Sequence, residues 1–448
     1  MRITAGKRVF VAMVAASALA IGLGGCSGSS PSNASGLKGK TLTIMETWND
    51  PISRKTAQDL FSAFTKATGV TVKAQPQSGN GATYQPAVRT AMSSSTPPTV
   101  ASDIAGPEVF AMAKAGVLKD VTSIYNDVVK SRALGDSAIN GITYNGKIYG
   151  ISAGAAVGNV LWYNPDLLAK YGVDPSAITT YEDWLAALKK IKDAGGPGVV
   201  VGAKDQWPGG HYLNDLVQNA LGSKATTALY NRSVLAGQPD TPKWTDPAVV
   251  NALKNYTLLK PYFQSGFLGE GADTAGAEFL AGKAAFYEMG TWFLNNIVST
   301  PPKFKVGTML FPAVNGGAGT GKEVTLAQEA LIFAKNDDPA VVKAFMEFFT
   351  RPDIAGAFTA GRAVIPTYKT KGGTVAPVIA NQYKTVKGYV ANAGANGSAL
   401  FNDQGIAVDI YSKYIWQGSV GLMTGDVTPE KLAQQLEDAT VAAQAANK

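Results

Sequence analysis

Thr41-Leu-Thr-Ile-Met-Glu-Thr-Trp-Asn-Asp50, then Pro51-Ile-Ser-Arg-Lys-Thr-Ala-Gln-Asp-Leu-Phe-Ser-Ala-Phe-Thr-Lys-Ala-Thr68, then Gly69-Val-Thr-Val-Lys73, changes its hydrophobic period twice. Residues 41–45 alternate, which is the spacing of a strand. Leu60, Phe61 and Phe64 fall on one helical stripe within residues 55–68, and Gly69 stops it. Val70-Thr-Val-Lys73 reads as a second strand. Outward from this unit the alternation continues. Residues 84–92 read as a helix, Pro97-Pro98 breaks the chain before the strand Thr99-Val-Ala-Ser-Asp103, and a short helix over 109–115 ends at Gly116. Such alternation predicts an α/β fold with parallel layers. The last third reads as helices over 339–349, 353–360 and 429–445, the last with Thr428 as N-cap and Pro429 at its first position. No internal repeat is visible. A chain of 448 residues exceeds what one hydrophobic core usually supports, so two domains are expected.

The N-terminus carries Arg2, Lys7 and Arg8, followed by an apolar run over 9–23. That run has the length of a signal-peptide core and is short for a mature membrane span. It ends in Leu23-Gly-Gly-Cys26, which resembles the lipobox of bacterial lipoproteins. Residues 1–25 are expected to be removed, and Cys26 to take a diacylglycerol thioether. An ordinary secretory signal is the alternative. Cys26 is the one cysteine in the chain, so neither a disulfide framework nor a thiolate metal site is expected. Two acyl chains suffice for stable anchoring. Residues 26–40, rich in Ser, Gly, Pro and Asn, read as the lipidated tether. No later apolar run approaches a membrane span.

Lys and Arg number 40 against 33 Asp and Glu, and three of the bases lie in the leader. The excess left on the body is small and no dense basic run appears, so nucleic acid is not an expected partner. His211 is the single histidine, in Pro208-Gly-Gly-His211-Tyr212, and reads as a structural or exposed loop residue. No nucleophile elbow, His-Glu-x-x-His or phosphate-cradling loop is present. No cofactor or metal is implied. A carboxylate-pair glycosidase stays open, because 33 acids offer many pairs.

Seven tryptophans are more informative. Trp184, in a helix start, and Trp162, in an apolar strand, read as core. Trp48, Trp207, Trp292 and Trp416 sit near element ends beside Gly, Pro or polar residues. An indole offers a flat apolar face and an N–H donor, which suits a sugar ring with axial C–H groups and a hydroxyl rim. Half-buried packing is as good a reading for each one alone.

Seven motifs in order resemble family 1 extracellular solute-binding proteins of ABC importers, the maltose-type sugar-binding proteins. They are Ala113-Lys-Ala-Gly-Val-Leu-Lys-Asp120, Asn145-Gly-Lys-Ile-Tyr-Gly150, Leu161-Trp-Tyr-Asn-Pro-Asp-Leu167, Tyr181-Glu-Asp-Trp-Leu185, Phe279-Leu-Ala-Gly-Lys-Ala-Ala-Phe286, Gly290-Thr-Trp292 and Gly425-Asp-Val-Thr-Pro429. The resemblance implies a two-lobed periplasmic-binding-protein-like fold of type II, with the ligand cleft between lobes joined by crossing hinge strands. It places residues 41–153 and 308–365 in the N-lobe, and 154–307 and 366–448 in the C-lobe. It further implies a monomer that captures a mono- or oligosaccharide, does no chemistry, and delivers its cargo to the transmembrane subunits of a permease. Alternatives are a binding protein for a non-sugar solute (a polyamine or organic ion), a secreted carbohydrate-active enzyme, or a surface adhesin.

Carried over by position, the cleft residues would be Glu46, Trp48 and Asn49 after the first strand, and Asp103 and Gly106 after the third. Trp207, Trp292 and Trp416 would line the C-lobe side. Gln328 and Glu329 would follow the returning N-lobe strand, and Arg362 would close that stretch or brace a structural acid. The set is rich in indoles and holds one firm base, so a neutral ligand is expected.

Overall fold

The computed structural model describes residues 36–78, 81–135 and 138–447. Cys26 and the leader lie outside the described residues. Among these, no helix is long and apolar enough to cross a membrane.

The strands are β1 (Thr41–Glu46), β2 (Thr71–Pro76), β3 (Val100–Ile104), the short hairpin β4 (Thr143–Tyr144) and β5 (Lys147–Ile148), β6 (Gly150–Val157), β7 (Val160–Tyr163), β8 (Val199–Val200), β9 (Phe286–Glu288), β10 (Gly307–Leu310), β11 (Val324–Phe333) and β12 (Ser398–Leu400). The opening unit forms as its pattern requires. β1 pairs in parallel with both β2 and β3, and buries Leu42 and Ile44 fully. The helix Pro51–Thr68 starts four residues before the expected residue 55, because the Asp50 side chain accepts the N–H of Ile52 (3.1 Å) and Ser53 (2.8 Å). Gly69, at φ 75°, closes it in the left-handed conformation.

Besides the β4–β5 hairpin, two larger sheets result, in two lobes. β11 is the long strand of the first sheet. Its C-terminal half pairs antiparallel with β3, its N-terminal half pairs with β12, and β6 runs antiparallel along its other side. β6 and β11 therefore both cross from one lobe to the other. Their register shifts at Glu329/Ala330. Close by, Gly154 has φ 123°, and a Cβ there would meet Val364 Cγ2 at 2.7 Å. A third link runs at Ile365, whose N–H donates to the Ala155 carbonyl (2.7 Å). The second sheet has the order β10-β7-β9-β8.

Cores separate along the same line. The N-lobe core gathers Leu42, Phe64, Val109, Ile151, Leu331 and Phe345 among others. The C-lobe buries Trp162, Trp184, Tyr212, Trp244, Phe279 and Leu432 in two neighbouring clusters. Both expected bounds of the second N-lobe segment, 308–365, shift. Residues 308–323 were expected in the N-lobe. β10 instead pairs with β7, Phe311 packs in the C-lobe core, and the Ala318 and Gly319 N–H groups donate to Ala220 and Asn219. The return to the N-lobe begins only within β11. At the other end, Tyr368 packs in the N-lobe core and Lys369 N–H donates to Arg132 carbonyl, so the stretch just after 366 belongs there as well. A strand's alternation says which face is apolar, but not which sheet receives it.

Candidate ligand-binding site

The loop after β1 brings four expected residues into one hydrogen-bonded group. Glu46 Oε2 accepts the Trp48 N–H at 2.5 Å, and Trp48 Nε1 donates to Glu329 Oε1 at 2.5 Å. Glu329 Oε2 receives Arg362 Nη1 at 2.6 Å. The Arg362 guanidinium also lies 4.8 Å over the Trp48 ring. Trp48 is packed rather than open: it stacks on Phe61 at 6.3 Å and meets the edge of Phe358 at 5.2 Å. The Glu46 carboxyl is pushed up by burial and by the Glu329 charge, against the pull of the Trp48 N–H. Asn49 stands outside this group. Its Nδ2 donates to the Gln77 carbonyl, and its Oδ1 accepts Arg54 at 3.2 Å.

Asp103, at the end of β3, is buried. Its Oδ1 accepts the Ile104 N–H at 2.8 Å, and its Oδ2 is sealed from solvent with no partner. Burial, and then the Glu108 charge, hold its pKa well above the carboxylate range. Gly106 has φ 104°, and a Cβ there would lie 2.4 Å from the Gln404 carbonyl oxygen. Only glycine lets the N-lobe loop approach the other lobe this closely. Gln328 meets the same residue, since its N–H donates to Gln404 Oε1 at 2.8 Å and its carbonyl accepts Gln404 Nε2 at 2.9 Å.

The C-lobe supplies an aromatic cluster. Trp207 and Trp292 lie 6.2 Å apart in an edge contact, with His211 between them at 4.8 and 5.6 Å and Phe401 stacked on His211 at 4.1 Å. His211 is therefore neither a loop residue nor exposed. It sits in the helix Trp207–Leu221, and burial pushes its pKa down to about 3, so the ring is neutral. Trp416 is buried 4.9 Å from Tyr411 and against Gly210, where a Cβ would meet its ring at 2.7 Å. The indole N–H groups of Trp207 and Trp416 are sealed without a partner, as is Asn402 Oδ1. Trp292 Nε1 faces Met289 sulfur at 3.0 Å.

The lobes touch around these groups. Besides the Gln328–Gln404 pair, Tyr411 hydroxyl donates to Glu108 across the junction, and Asn295 Nδ2 donates to Ser53 hydroxyl at 3.0 Å. Phe401, Gln404, Glu108 and Tyr411 escape sequence reasoning. Glu108 looks like an ordinary solvated acid in the first turn of a helix, and the other three sit in stretches with no spacing signal. Among the described residues, no three His, Cys, Asp or Glu side chains are placed to hold a metal ion.

The model of one family, bacterial extracellular solute-binding protein, matches residues 47–356. The chain belongs to that family. As a solute-binding protein it is 23% identical over 335 residues to the uncharacterized ABC transporter extracellular-binding protein PH1214 of Pyrococcus horikoshii, covering 73% of this chain and 72% of that one. A solved protein from work on xylan utilization by Caldanaerobius polysaccharolyticus superimposes with a TM-score of 0.77 at 25% identity, over 89% of this chain and 99% of that one. A chitin oligosaccharide binding protein does so with a TM-score of 0.76 at 22% identity, over 90% and 99%. The two-lobed fold of this solute-binding protein is thus that of its structural relatives.

One further feature of this solute-binding protein lies off the junction. Asp215, on the helix Trp207–Leu221, and Glu288, at the end of β9, are both sealed with no hydrogen-bond partner. Burial first, and for Glu288 then the Asp215 charge, raise both well above the carboxylate range. Their contribution to stability is fully present below an unfolded carboxylate pKa of about 4 and is lost as pH climbs through the raised folded values. Glu288→Gln should therefore melt above the wild type by about 2 °C or more at pH 8, and show no such advantage at pH 5. Thermal melts at the two pH values check this; equal differences at both would mean that the pair is solvated.

Proposed function

We propose that this protein captures a mono- or oligosaccharide between its lobes and delivers it to the membrane permease of an ABC importer. One observation carries the reading. Polar atoms sealed from water and left without a protein partner lie on both sides of the junction, Asp103 Oδ2 on one and the Trp207, Trp416 and Asn402 atoms on the other, beside an aromatic cluster. A buried polar group without a partner is unfavourable. A sugar supplies hydroxyls that both donate and accept, and C–H faces for the indoles. The relation to a protein of xylan utilization supports a glycan over a polyamine or organic ion.

The test is a thermal-shift and calorimetric panel of mono- and oligosaccharides, including xylo- and chito-oligosaccharides. A sugar at 100 times its Kd stabilises the protein by about 2.7 kcal/mol. For that sugar, Trp292→Ala should weaken binding roughly tenfold or more, as expected for a central aromatic anchor. A silent panel would sink the sugar reading. Turnover of the stabilising sugar would revive the carboxylate-pair enzyme.

The protein acts as a monomer on the outer face of the membrane, held by lipid on Cys26. Cys26→Ser should leave the protein unprocessed or release it to the soluble fraction. A serine variant recovered in the membrane fraction as the mature species would remove the lipid anchor.

A further inference from the structure

The junction between the lobes encloses an imbalance of charge. Glu108, fully buried on the N-lobe helix Pro107–Lys114, pairs with Arg89 Nη1 at 2.5 Å through one oxygen. Its other oxygen accepts the hydroxyl of Tyr411 from the C-lobe. Asp103 lies beside this pair with Oδ2 sealed. The C-lobe helix Asn402–Gly405 packs on the helix of Glu108 and brings Asp403, whose Oδ1 is also sealed and unpartnered. Three carboxyl groups thus share one guanidinium. Arg89 offsets Glu108, and nothing comparable offsets the other two.

We propose that closure of this solute-binding protein takes up a proton at Asp403, so that the lobes come together more readily in acid and part more readily in base. The inference rests on the capture reading above. Asp403 as a residue stays partly exposed, but a carboxylate with one oxygen sealed and unpartnered beside another carboxylate is unfavourable, whereas the neutral acid is tolerated and gains a donor. The titratable groups on the elements packed against Asp403 are Glu108, Tyr411 and Tyr414 on the segment Tyr411–Trp416, Tyr230 on the helix Ser223–Asn231, and His211, Tyr212 and Asp215 on the helix Trp207–Leu221. His211 is neutral, and Lys114, Lys224 and Lys413 on these elements are exposed. Arg89 is already committed to Glu108.

The sign follows from the two environments. With the lobes in contact as they are here, burial and then the Glu108 charge push Asp403 up to about 7. On opening, Asp403 leaves Glu108 behind in the other lobe and its carboxyl falls back toward the ordinary value, about 3.9, while its contacts to the C-lobe helices remain. Between these limits the closed form holds a proton that the open form does not. The ratio of closed to open then falls up to tenfold for each pH unit gained, and levels off above about 7.

Small-angle scattering of the purified chain without added sugar, from about pH 5 to about pH 8.5, tests this, with tryptophan emission as a second reading because Trp416 adjoins Tyr411. The wild type should expand as pH rises. Asp403→Asn should keep the acid radius throughout, and Tyr411→Phe should favour the expanded form at every pH. A wild-type radius and emission that ignore pH would overturn the proposal, as would an Asn variant that follows the wild type. Because no sugar is present, these results stand apart from the sugar panel, and either idea can fail alone.

Discussion

Trp184→Ala is expected to destabilise the protein by roughly 3–5 kcal/mol, the usual loss for a buried aromatic truncated to a methyl group. Trp184 is fully buried on the helix Tyr181–Asp193. Its ring meets Tyr181, Phe286 and Phe311 in edge contacts at 5.9, 5.9 and 5.5 Å, joining the helix to β9 and to the end of β10. Such close-packed rings relax poorly into a cavity, so most of the lost contact energy stays lost. Denaturant unfolding of the two proteins measures the difference. A loss under about 1 kcal/mol would mean that the neighbouring rings collapse into the space. Sugar affinity should change little, because Trp184 has no part in the junction, which is the converse of the behaviour expected for Trp292→Ala.

Glu437→Ala should weaken the fold by a similar amount, about 3–5 kcal/mol, for an electrostatic reason. Arg232 is buried and held by both Glu437 oxygens at 2.7 and 3.0 Å, while Glu437 also accepts the Trp244 N–H at 2.9 Å. Burial pushes the Glu437 carboxyl up, but Arg232 and Trp244 outweigh it and leave its pKa lowered. Removing the carboxylate strands a guanidinium inside the C-lobe. Replacing both partners at once, Arg232→Met with Glu437→Leu, should recover much of the loss, since the pair's own attraction largely offsets its desolvation. Urea unfolding of the wild type and the two variants checks both statements. A double variant no better than Glu437→Ala would assign the effect to lost packing instead.

Much of the secondary structure was legible because its signals are local. Thr428 caps the last helix with its own side chain and Pro429 opens it, as expected, whereas Asp50 and Pro51 do the same for the first helix and escape sequence reasoning. Trp162 and Trp184 were readable as core from the apolar pattern around them. The candidate site was legible in part. Glu46, Trp48, Glu329 and Arg362 do assemble, but as a braced group with the indole packed between Phe61 and Arg362. The structural reading of His211 holds, but its placement in a loop does not, because Gly209 and Gly210 resemble loop residues. In the fold they let Ser419, Tyr256 and Trp416 close on the helix, where a Cβ at either glycine would collide.

By itself, then, the sequence determined the α/β class and placed six helices to within four residues of their ends, since these follow from periodicity and caps, and its ordered motifs resembled the solute-binding family to which the chain belongs. Only the tertiary structure decided which lobe receives β10, why Gly106 must be glycine, and that Glu108 meets Tyr411 from 303 residues away. Those outcomes depend on which surfaces the crossing strands bring face to face. Strand alternation and helix spacing describe one element's own two sides, and carry no information about the element that will cover them.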